Sequence, residues 1–259
     1  MIRTSIRLAG KQLENATLVF SGAGAAAIAC LDLLVRLGLK KEHITLVDSK
    51  GVVFQGREPN MEINKARYAT TRDVQTLENA VAGQDIFLGC SAAGLLTAAA
   101  VQKPAPRALI LALANPEPEI RPEVVASVRS DCIVATGRSD YPNQVNNVLC
   151  FPFLFRGALD VGATQITPGM KAACVDAIAD LALEEVPSCV QAAYPGRHLS
   201  FGPEYIIPTP FDSRLIERVA PAVALAAMRD GVATREIGDM AQYRLSLRKL
   251  INRSLAIGE

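Results

Sequence analysis

Histidine is nearly missing from this sequence: 259 residues hold two, His43 and His198. That excludes a histidine-rich zinc site and argues against a Ser-His-Asp triad, so each histidine reads as a surface or loop residue. An excess of charge of one sign is missing as well. Lysine and arginine total 27 against 26 acids, a formal net charge of +1, and the two signs are mixed along the chain. Such a balance offers no footprint for nucleic acid or for an anionic membrane. No apolar run has membrane-spanning length without a charge or a breaker. The first residues, MIRTSIRLAGKQLENA, lack the apolar core and small-residue cleavage site of a secretory signal. A cytoplasmic protein is therefore expected. Six cysteines, at 30, 90, 132, 150, 174 and 189, contain no C-x-x-C pair and stand in or beside apolar stretches. They read as buried, reduced thiols. Neither an internal repeat nor a low-complexity linker is visible.

What is present is apolar sequence, half of all residues, enough for a sizeable core. From about residue 17 short apolar runs alternate with helical patterns. Strands are expected at 17–20, 44–48, 85–90, 109–114 and 132–137. Helices are expected at 25–38, ending at Gly38 as a C′ glycine, and at 77–83, 94–103 and 122–130. Near-continuous apolar strands alternating with helices predict an α/β fold, a mostly parallel sheet covered on both faces. The stretch 49–64, SKGVVFQGREPNMEIN, is too long and polar for a tight turn. After residue 145 helices are expected at 146–163, 168–186 and 219–233. YRLSLRKLINRSLAIGE, at 243–259, reads as a basic amphipathic helix or a docking tail.

The run FSGAGAAAIA places Gly22-Ala23-Gly24-Ala25-Ala26-Ala27 between a strand and a helix, a G-x-G-x-x-A turn in the context a dinucleotide needs. Gly22 would make the tight turn, Gly24 would admit a pyrophosphate, and Ala27 would let helix and strand pack closely. The helix N-terminus supplies N–H donors and a favourable dipole. Asp48, closing the second strand, stands where a carboxylate would hold a ribose hydroxyl, which favours NAD. Ser49, Lys50 and Arg57 follow it and suit a 2′-phosphate, which favours NADP. The same small residues could also be a turn with no ligand, and the two cations solvated loop charge.

Ligands of open parallel sheets bind beyond the carboxyl ends of the strands. The segments there are SAAG from Ser91, NPEPEI from Asn115, and RSDYPNQVNN, at 138–147. The last holds Asn143, Asn146 and Asn147 within five positions. Neutral amides can bond a carboxylate or a carboxamide without a charge to desolvate. Their plainer role is to cap the following helix, which one of them is expected to do.

FSGAGAAAIACL, VDSKGVVFQGREPN, DIFLGCS, ILALANPEPEI, TGRSDYPNQVNNVLCFPFLFRGALDVGAT and LSFGPEYIIPTPFDSRLI together resemble the nucleotide-binding domain of malic enzymes. The resemblance runs from about residue 7 to about 240 and is nearest to the large bacterial type with an additional phosphotransacetylase-like domain. The long motif at 136–164 is far more specific than the glycine turn. The resemblance implies a Rossmann-type core at about 15–165 with a helical part at about 166–259. It implies oxidative decarboxylation of malate to pyruvate with NADP or NAD and, in the full-length enzyme, Mg²⁺ or Mn²⁺. It assigns Gly22, Ala23, Gly24, Ala25 and Ala26 to the pyrophosphate, and Asp48 and Ser49, with Lys50 beside them, to the ribose. Ser91 and Asn115 fall to the cofactor's nicotinamide end, and Asn115, Asn146 and Asn147 to the substrate. Close relatives mostly prefer NADP.

The family's substrate domain, with its tyrosine acid, lysine base and acidic metal ligands, precedes the glycine turn. Here 21 residues precede Gly22 and Glu14 is their only acid. No metal ligands and no catalytic residues are assigned to this chain, which is expected to be inactive alone. Asp140, Tyr141 and Lys171 could be stand-in catalysts but read better as a cap, a turn residue and a helix charge. The missing domain would leave an apolar patch, so a homo-oligomer is expected. Two other readings are a stand-alone NAD(P)-binding regulatory or assembly module and the cofactor domain of another two-domain dehydrogenase.

Overall fold

A computed structural model describes residues 1–58 and 61–256, with side chains described as far as residue 250. Pro59 and Asn60, within the long polar stretch, and residues 257–259 of the tail lie outside the described residues. The chain divides into two compact units, one of residues 1–145 and 202–204, the other of residues 146–201 and 205–259.

The first unit carries a six-stranded sheet. Its strands are β1 (Leu18–Ser21), β2 (Ile44–Asp48), β3 (Gly51–Val52), β4 (Ile86–Gly89), β5 (Leu109–Ala112) and β6 (Ile133–Thr136). Their order is β3-β2-β1-β4-β5-β6, and all neighbouring pairs are parallel except β2 with β3. This is the doubly wound order, with its switch point between β1 and β4. Helices α1 (Ile2–Leu8), α2 (Ala25–Arg36), α3 (Ile63–Ala66), α4 (Leu77–Ala80), α5 (Ala98–Val101) and α6 (Pro122–Val128) complete the unit. β1, β2, β4 and β5 are buried along almost their whole length, as strands covered on both faces must be. Val19, Phe87 and Ile110 join Val101 of α5 and Val125 of α6 in one cluster. Complete burial of a side chain such as Phe87 contributes about 2–3 kcal/mol.

α2 ends as the sequence predicts. Gly38 adopts φ +113°, its N–H donates to Val35 O, and Leu39 N–H donates to Leu34 O, a Schellman closure. The polar stretch after β2 is more ordered than expected. Gly51–Val52 turns back as an antiparallel strand on β2, and α3 follows.

The second unit is helical: α7 (Phe151–Asp160), α8 (Pro168–Leu183), α9 (Ser188–Ala192), α10 (Leu215–Arg229) and α11 (Met240–Ala256). α7 packs closely on α10, because a Cβ at Gly157 would stand 2.3 Å from Ala220 O. The basic tail is helical and packs on α10, where Arg248 bonds Glu217. The expectation of six buried thiols is corrected. Cys174 is buried, whereas Cys90 and Cys189 are exposed, because they stand just past a strand end and in a short surface helix. Among the described residues no helix is long and apolar enough to cross a membrane.

Candidate functional site at the carboxyl edge of the sheet

β1 delivers the chain to Gly22, whose φ of +112° excludes other residues without strain. Its N–H donates to Val47 O at 2.8 Å, and a Cβ would stand 2.8 Å from Cys90 O. Gly24 differs. It is the N-cap of α2 at φ −82°, an ordinary conformation, and a Cβ there would meet nothing within 4 Å. The fold requires glycine at 22 and leaves open space at 24. Ala25 and Ala26 are exposed on the first turn of α2, while Ala27 is buried against the core.

Beside this turn lies a cavity of about 900 Å³, a size suited to a cofactor. Of the residues singled out in the sequence, Gly22, Ala23, Gly24, Asp48, Ser49, Lys50 and Ser91 line it. Asn115 does not. Lys65, Gln75, Thr76 and Leu77 also line it and went unmarked in the sequence. Lys65 pairs with a carboxylate 17 positions away, a relation no local spacing carries.

That carboxylate is Asp48, and it is fully engaged. One oxygen accepts Lys50 N–H at 2.8 Å and Arg57 Nη1 at 2.9 Å. The other accepts Arg57 Nη2 at 2.6 Å and Lys65 Nζ at 2.8 Å. Four donors use the acceptor sites a carboxylate offers. The Arg57 guanidinium above all, and then Lys65, holds the Asp48 carboxyl well below the usual carboxylate range against the opposing effect of burial. Arg57 is itself buried, and it also bonds Val52 O at 3.2 Å. Its expected role as a phosphate partner is therefore corrected, since its charge is turned inward to Asp48. Lys50 is exposed on the cavity wall, and its ammonium pairs with none of the described residues.

The asparagines part company. Asn143 is buried at φ +55° and donates to Val134 O at 2.9 Å and Pro203 O at 2.7 Å, so it fixes the backbone of the first unit. Asn146 accepts Val148 N–H at 3.0 Å and caps the 3₁₀ turn Asn147–Leu149, whereas α7 itself starts after Cys150 without a side-chain cap, so the cap expected of one asparagine falls on the short turn and not on the helix. Asn147 is exposed. Asn115 is exposed at the end of β5, with its amide over Gly137, where a Cβ would come within 3.0 Å. Asp140 is held by Arg138 and Tyr141 donates to Glu123, so both are engaged structurally. Among the described residues no group of three or more potential metal ligands gathers.

Comparison with known proteins gives the same reading from another direction. An NADP-dependent malic enzyme of Escherichia coli is 59% identical over 243 residues, 93% of this chain and 32% of that protein. An NAD-dependent malic enzyme of Rhizobium meliloti is 52% identical over 253 residues, 98% of this chain and 33% of that protein. The chain thus spans about a third of the length of these curated relatives. The solved malic enzyme of Pyrococcus horikoshii superposes with a TM-score of 0.83 at 31% identity, over 98% of this chain and 58% of that one. The family described as malic enzyme, NAD binding domain, matches residues 1–196. A glycine turn at the switch point of a doubly wound sheet and a sequence match across most of the chain agree, and the chain belongs to the malic enzyme NAD-binding domain family.

Proposed function

We propose that this chain forms the NADP-binding part of a cytoplasmic malic enzyme and is inactive by itself. The observation that carries the reading is the cavity beside Gly22 and Gly24. The residues fit the cofactor. Open space at Gly24 leaves room for the pyrophosphate, and the N–H groups of Ala25 and Ala26, in the first turn of α2, would hold it as a helix N-terminus does. Asp48 has no acceptor site left for a ribose hydroxyl, while Lys50 and Lys65 line the same wall. Two lysines on the cavity wall beside a carboxylate already engaged favour a 2′-phosphate, hence NADP over NAD. In this reading Asp48 and Ser49 orient the groups at the ribose, and Lys50 and Lys65 hold the phosphate.

The chemistry the cofactor supplies is acceptance of a hydride from malate C2. Ser91 and Asn115 would orient the nicotinamide end, where the Asn115 amide adds no charge to desolvate. The residues described do not fit Mg²⁺ or Mn²⁺, since no carboxylate cluster gathers. Base, acid and metal ligands belong to a substrate domain, and the assembled enzyme is a homo-oligomer.

Calorimetric titration of the folded chain should show NADP binding more tightly than NAD. Lys65→Ala should weaken NADP about tenfold, the value of one charge-assisted contact, with NAD little changed. NAD binding at least as tightly as NADP would refute the preference. The chain with malate, NADP and Mn²⁺ should form no NADPH until a separately supplied substrate domain is added. Turnover by the chain alone would refute the division of labour.

A further inference from the structure

Glu119 is completely buried, and among the described residues no basic side chain pairs with it. Three donors converge on its two oxygens. Ser91 N–H at 2.8 Å and Ser91 Oγ at 3.2 Å reach one oxygen, and Ala114 N–H at 3.0 Å reaches the other. An acceptor-only carboxylate satisfies all three, and an amide cannot. The network continues to the glycine turn, because Ser21 Oγ lies 2.9 Å from Ser91 Oγ. With the Ser91 hydroxyl donating to Glu119, the Ser21 hydroxyl donates to Ser91. The backbone of Glu119 takes part too, its carbonyl accepting Leu96 N–H at 3.0 Å. β4 makes room by ending in Gly89, where a Cβ would stand 2.3 Å from the Glu119 carboxyl carbon.

One buried anion therefore ties together the ends of β1, β4 and β5. These ends carry Gly22, Ser91 and Asn115. Glu119 stands one residue behind the cavity wall, since Ser91 lines the cavity and bonds Glu119 directly. A buried charge without a cation exerts a field less screened than a surface charge does. The nicotinamide ring is a cation when oxidised and neutral when reduced.

We infer that Glu119 is a positioning residue of the cofactor cavity that acts through its charge, setting the Ser91 and Ala114 loops and favouring the oxidised, cationic nicotinamide over the reduced one. The inference rests on the NADP-binding reading above, with the nicotinamide end at Ser91 and Asn115.

The test is titration of the purified chain with NADP⁺ and with NADPH, for the wild type, Glu119→Gln and Glu119→Asp, each first shown folded by thermal unfolding. Glu119→Gln removes the charge and sets an amide donor against a backbone N–H. It should lose NADP⁺ affinity about tenfold, as for a hydrogen bond to a charged group, and NADPH affinity clearly less. Glu119→Asp keeps the charge but shortens the reach, so it should weaken both forms by the same factor. Equal loss of both forms in Glu119→Gln, or unchanged binding, would overturn the inference while leaving the cofactor reading intact. If Glu119→Gln does not fold, Glu119→Asp decides, and a preferential loss of one form there overturns the inference. A folded wild type that binds neither form overturns the cofactor reading itself, and this inference with it.

Discussion

Gly22 and Gly24 share a motif and answer to different constraints. At Gly22 both the positive φ and the neighbouring Cys90 carbonyl exclude a side chain. At Gly24 neither does. Gly22→Ala should therefore lower the melting temperature and weaken NADP together. Gly24→Ala should leave the melting temperature almost unchanged and weaken NADP alone. Parallel thermal unfolding and titration of the two variants checks this, and a Gly24→Ala protein that binds normally would remove the pyrophosphate from that position. At this scale the sequence is legible where a residue's role depends on its chain neighbours, as for Gly22 in the tight turn and Asn146 as the cap of a short turn. Asn143 was not legible, because its partner Pro203 lies 60 positions away. Arg57 pointed the wrong way, because a basic residue near a candidate phosphate site gives no sign of which side its guanidinium faces.

Elements built by periodicity could be read directly. The strands from β1 to β6, apart from β3, and the long helices α2, α8 and α10 fall where the apolar runs place them. β3 escaped notice because two residues carry no period, and its antiparallel pairing depends on β2 already being in place. The same local turn assembles the Asp48 clamp, so β2, β3 and α3 should respond to acid as one piece. The Asp48 carboxyl is held below its unfolded value of about 3.9. As pH falls, the unfolded chain takes up the proton first, so the stability from the clamp is complete above about pH 5 and is lost progressively below it. The melting temperature of the wild type should therefore fall more steeply between neutral and acid pH than that of Asp48→Asn. Equal slopes would show that the clamp adds no pH-dependent stability.

For the molecule as a whole, the apolar residues left in solvent are as informative as the buried ones. Phe151, Phe155 and Leu159 recur every fourth position on α7 and stay exposed, with the two rings in edge contact at 5.1 Å. A stripe of this kind marks an association surface. Sedimentation of the chain should show concentration-dependent self-association that Phe151→Ser with Phe155→Ser reduces. An unaltered distribution would refute this stripe as an association surface. The sheet itself offers little to such contacts. At one margin stands the two-residue β3, and at the other Val145 N–H already bonds Thr136 of β6 while Gln144 bridges the same residue. Short or occupied edges give an incoming strand no template. Association through a helix face yields assemblies that close and come apart on dilution, so this protein should tolerate high concentration without seeding fibres.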